Sequence, residues 1–87
     1  MKLVNSSNPV ALGVDWTDDE TGTQYELCVP RGTDSVWFGM RSADVSEWST
    51  VPVTNPERFG RVPRTVREMI KYAQVFIAWD NERRGAL

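Results

Sequence analysis

The sequence predicts an α+β fold: an antiparallel three- to four-stranded β-meander covered on one face by a long C-terminal α-helix. Two observations carry this. Between Val10 and Arg41, apolar residues recur at every second position in three runs divided by polar turns, the period of half-buried strands. From Pro63 to Arg84 the period lengthens to that of a helix turn. The turns between the runs are too short for a parallel crossover, so neighbouring strands must run antiparallel.

Residues 1–9 contain Asn5-Ser6-Ser7-Asn8-Pro9, a turn-rich lead that leaves room for a short edge strand at Lys2–Val4. Val10, Leu12, Val14 and Trp16 alternate with Ala11, Gly13 and Asp15 as a first full strand. An acidic turn, Thr17 to Gly22, leads to a second strand carrying Tyr25, Leu27 and Val29. After Pro30–Asp34 a third strand alternates Val36, Phe38 and Met40 with Trp37, Gly39 and Arg41. One apolar face and one mixed face per strand imply a sheet covered on one side.

Residues 42–62 form an irregular connection with short helical turns. Ser42–Trp48 has the composition of a short capped helix. Thr50–Val53 is compatible with a fourth strand, confined to an edge because Pro52 lacks a donor. Asn55-Pro56-Glu57-Arg58-Phe59-Gly60 reads as one helical turn, with Asn at the cap, Pro at the first position and Gly at the exit. The last element is a helix over 65–84. Thr65-x-x-Glu68 has capping-box spacing, in which the Thr hydroxyl takes the Glu68 N–H and the carboxylate returns to Thr65 N–H. Gly85 follows as a stop. Val66, Met69, Ile70, Ala73, Phe76 and Ile77 make the core stripe, expected to lie across Leu12, Val14, Leu27, Val29, Phe38 and Met40. Tyr72, Val75 and Trp79 make a second strip, roughly 120° away.

The 87 residues amount to a single domain, 1–87, with the meander at 10–41. At this size only about 60–65% of the unfolded surface is buried, and stability is on the order of 5 kcal/mol. No apolar run approaches the length of a membrane span. The N-terminus turns polar too early for a signal peptide. Cys28 is alone, which fits a cytoplasmic setting rather than a disulfide-stapled one.

Catalytic chemistry finds little support. The chain has no His, the commonest general base and zinc ligand. Asp15, Asp18, Asp19 and Glu20 lack the spacing of a calcium loop. Cys28 and Ser35, Ser42, Ser46 and Ser49 have no base to activate them. Gly13, Gly32 and Gly39 do not form a phosphate loop. The chain therefore reads as a non-enzyme without catalytic residues, cofactor or metal.

Charge and aromatics say more. Residues 1–56 hold three cations against eight carboxylates, and residues 57–87 seven against four, a dipolar distribution suited to partner recognition. Arg64, Arg67 and Lys71 project within about 60° of one another opposite the core stripe. Among nine aromatics, four are Trp, and Trp, Tyr and Arg dominate binding hot spots. Trp37 faces away from the helix beside Arg41. The expected partner-binding residues are thus Trp37, Arg41, Arg64, Arg67, Lys71, Tyr72, Val75 and Trp79. The connection 42–62 is long enough to fold over one of these two patches, not both. A second copy of the chain, docked through either patch, satisfies the same physics.

The segments Arg58-Phe59-Gly60 and Val75-Phe76-Ile77-Ala78-Trp79, with eight Arg against two Lys, resemble small orphan accessory proteins of actinobacteria and their phages. The resemblance implies a single-domain accessory or modulator that acts by binding a host or viral protein, and it assigns no residue a role. A nucleic-acid-binding accessory protein using the Arg58–Lys71 basic stripe is the alternative; the net charge of −2 weighs against it.

Overall fold

The computed structural model describes residues 2–85. Five strands pair in sequence order as one antiparallel sheet: β1 (Val4–Asn5), β2 (Ala11–Thr17), β3 (Gln24–Pro30), β4 (Trp37–Arg41) and β5 (Ser49–Pro52). A 3₁₀ turn, η1 (Pro56–Phe59), leads to α1 (Val66–Gly85), which lies on one face. The fold is the predicted α+β meander with a helical cover, enlarged to five strands by the two short edges.

Register follows from the alternation. Leu12 faces Val29, Val14 faces Leu27 and Trp16 faces Tyr25 across β2–β3, while Leu27 faces Phe38 across β3–β4. Each pair sits on the helix side, so the core is a band of matched apolar residues. Val10 stays outside: the strand begins at Ala11, and Val10 is exposed.

The helix is narrower than the sheet. An α-helix with its side chains is about 10–12 Å across, whereas five strands at about 4.8 Å spacing span close to 20 Å. It makes its main sheet contacts with β2, and large rings bridge the remainder. Trp16, Tyr25 and Phe38 form a triangle of stacked rings with centroids 5.7–6.3 Å apart. Phe38 meets Phe76 of the helix at 5.1 Å. Phe59 then packs edge-on against Tyr72, Phe76 and Trp79 at 5.0–6.0 Å. Such edge-to-face pairs each add roughly 0.5–1.5 kcal/mol beyond area burial.

Four local expectations are corrected. Ser42–Trp48 forms turns rather than a helix. The Thr65 hydroxyl accepts the Glu68 N–H at 3.2 Å, but the Glu68 carboxylate accepts Arg64 N–H at 3.1 Å instead of Thr65 N–H. Buried Pro63 sets the entry of the chain so that the Arg64 amide lies in reach. Met40 is exposed despite its core-side register opposite Tyr25, because α1 runs along β2 and its cover does not reach across the sheet to that position on β4. The helix also runs one residue past its expected end, through Gly85.

Phe59 is thus the single side chain of the 42–62 connection that reaches three aromatics of the helix. Phe59→Ala should destabilise the domain by about 3 kcal/mol or more, read as a fall in the urea unfolding midpoint, whereas removal of exposed Val10 should leave that midpoint nearly unchanged.

Candidate protein-interaction surface

Phe59 also decides which of the two aromatic patches stays open. Tyr72 was expected on an outward strip. Instead it is 3% exposed, covered by η1, with its hydroxyl donating to Pro56 O at 2.6 Å. Burial pushes its phenol up to about 12 despite the opposing influence of the Arg58 charge. Trp79 keeps part of its surface: Arg58 stacks over its ring at 4.4 Å and Arg83 at 5.1 Å. Val75 is exposed, as expected.

The basic stripe divides. Arg64 is occupied by an ion pair with Asp34 at 2.5 Å and by a hydrogen bond to Thr33 O, so it ties the helix entrance to the β3–β4 turn. Arg58 is exposed but lies flat on the Phe59 and Trp79 rings, without a carboxylate partner among the described residues. Arg61, Arg67 and Lys71 are exposed, and among the described residues they have no carboxylate partner.

The other patch, the sheet face turned from the helix, is a real surface. Its side chains come from alternate positions: Asp15 of β2, Gln24, Glu26 and Cys28 of β3, and Trp37 and Arg41 of β4. Gly39 makes room on it. A Cβ there would stand 3.3 Å from the Trp48 ring, a tight contact that would press the indole outward by a few tenths of an ångström. Arg41 stacks over the same indole at 5.0 Å and donates to Gln24 Oε1. Trp37 and Trp48 remain 37% and 38% exposed. Sequence reasoning placed Trp37 and Arg41 correctly but missed Trp48, which packs closely on a glycine of a neighbouring strand.

The middle of this face is anionic. Asp15 and Glu26 are directly opposite across β2–β3, an arrangement that costs stability when both are charged. The Ser6 hydroxyl donates to Asp15 Oδ1 at 3.0 Å. Partial burial, then the Asp15 charge, raise the Glu26 carboxyl above its ordinary range. Burial and both carboxylates raise the Cys28 thiol, the opposite of what a reactive thiolate needs.

Among the described residues, no group of three or more His, Cys, Asp or Glu is placed to hold a metal ion, and no helix is long and apolar enough to cross a membrane. No protein-family model, no curated protein and no solved structure matches this chain.

The Glu26 shift has a definite sign. Its folded pKa lies above the unfolded value, so its contribution is complete below the ordinary carboxylate range and is lost as pH rises through the folded pKa. Glu26→Gln should therefore stabilise the domain at neutral pH. Its advantage over the parent in urea midpoints should widen upward from about pH 4.5 and vanish in stronger acid.

Proposed function

We propose that this protein is a small non-enzymatic protein-binding module, an accessory or modulator of phage–host type acting in the cytoplasm, with the uncovered sheet face as its contact surface. One observation carries the reading. Trp37 and Trp48, together with Arg41, are grouped on the sheet face turned from the helix, and both indoles are partly exposed. Exposed apolar groups gathered in one patch mark interaction sites, and these residue types supply most of the energy at such sites. The anionic centre at Asp15 and Glu26 selects a partner that brings Lys or Arg beside the two rings.

The nucleic-acid alternative has its own support in Arg61, Arg67 and Lys71, which are exposed. Binding through that stripe would weaken steeply with salt. A titration against random-sequence DNA and RNA at low ionic strength separates the readings: the protein-binding module shows no association there.

The decisive experiment compares affinity captures from host cells by the parent and by Trp37→Ser. A specific co-eluting protein should be lost from the variant while its thermal midpoint stays within about 2–3 °C of the parent, as expected for a surface change. Retention of that partner by both Trp37→Ser and Trp48→Ser overturns the proposal.

A further inference from the structure

A second feature lies on the helix side. Strand β5 is exposed along its whole length and pairs only with β4. Val53 N–H donates to Val36 O, which fixes the phase of the ladder. With Phe38 opposite Val51 and Gly39 opposite Thr50, Val51 directs its backbone groups to β4. The N–H and C=O of Thr50, and the C=O of Pro52, then point outward. Beside this edge runs a groove of about 200 Å³ between β5 and α1. Phe38, Phe59, Phe76 and Trp79 line it, with Val51 on the strand side. Arg58 and Arg83 stand at its rim, stacked on Trp79. Asp80 also borders it, but two arginines, Arg83 at 3.0 Å and Arg84 at 2.8 Å, already hold its carboxylate. Arg58 has no carboxylate partner among the described residues.

We infer that this edge accepts an extended segment of a partner protein as a sixth strand, placing an apolar side chain in the groove and an Asp or Glu against Arg58. Backbone pairing at Thr50 supplies register, the ring-lined groove takes the side chain, and the guanidinium selects its charge. The occupant is acidic and apolar because the rim is cationic. A second copy fits poorly, since Ser49–Thr54 contains no carboxylate to answer Arg58. The site is separate from the Trp37–Trp48 face.

The test is selection of a random twelve-residue peptide display library on the full-length protein, followed by calorimetry and amide exchange with the enriched peptides. Enriched sequences should alternate apolar residues with Asp or Glu and bind in the micromolar range. They should slow exchange at the Thr50 amide and lose at least tenfold in affinity to Arg58→Glu and, independently, to Val51→Lys. Both positions are exposed, so the variants should fold, and Trp37→Ser should bind the peptides as the parent does. Enrichment of basic peptides, binding indifferent to both variants, no enrichment at all, or concentration-dependent dimerisation abolished by Val51→Lys each overturns the inference.

Discussion

The structure depends on a mismatch of widths: one helix must cover a sheet nearly twice as broad as itself. Aliphatic side chains alone cannot close that gap, whereas aromatic rings reach far enough. Seven of the nine aromatics join in one connected network of contacts, running from Trp16 on β2 to Trp79 on α1 with Tyr72 branching from Phe59. Their burial, at about 25 cal/mol per Å² of apolar surface, outweighs anything the polar contacts at the same interface supply. The two indoles outside the network, Trp37 and Trp48, are on the face the helix leaves bare.

Polar groups fix orientation rather than supply stability. The Arg64–Asp34 pair is exposed at both ends, which limits it to at most about 1 kcal/mol, yet it joins the helix entrance to a turn thirty residues earlier in the chain. At the other end, buried Asp80 receives Arg83 and Arg84, and Arg84 also donates to the Tyr25 hydroxyl. The Tyr72–Pro56 hydrogen bond holds η1 on the helix flank. Together these contacts settle the rotation of α1 about its axis, and hence which residues face inward.

Much of this architecture was legible because it is local. Alternation in Leu12–Trp16 and Tyr25–Val29 specifies strands, and the spacing of Met69, Ala73, Phe76 and Ile77 specifies the buried stripe. The misplacements were tertiary. Tyr72 has the same helical-wheel position whether or not η1 folds over it, so no periodicity separates the two outcomes. Met40 keeps its core-side register but lies to the side of the helix, a matter of how far one helix covers the sheet rather than of pattern. Trp48 shows the same limit in reverse: it packs closely on Gly39 of β4, a contact between distant positions that no local pattern encodes. What the 42–62 connection does to the surface cannot be read from periodicity because it has none.

The uncovered regions have a common origin, and the chain treats them differently. On the open sheet face, Gly39 and Gly13 admit close cover: Trp48 lies on the first, and the Ser6 hydroxyl would stand 2.7 Å from a Cβ on the second. The face is thereby narrowed to Trp37, Trp48, Arg41 and the Asp15–Glu26 pair. At the β5 edge the restraint is Pro52. Proline withdraws one donor from a strand of only four residues, leaving Thr50 as the single position able to exchange both backbone hydrogen bonds with a newcomer. An edge so shortened cannot template the long, register-free pairing that leads to aggregation. A short segment gains too little from three backbone hydrogen bonds, at about 1 kcal/mol each, to remain bound by them alone. Selectivity at this edge must therefore come from the groove and from Arg58, and a segment lacking either the apolar side chain or the carboxylate has too little holding it in place.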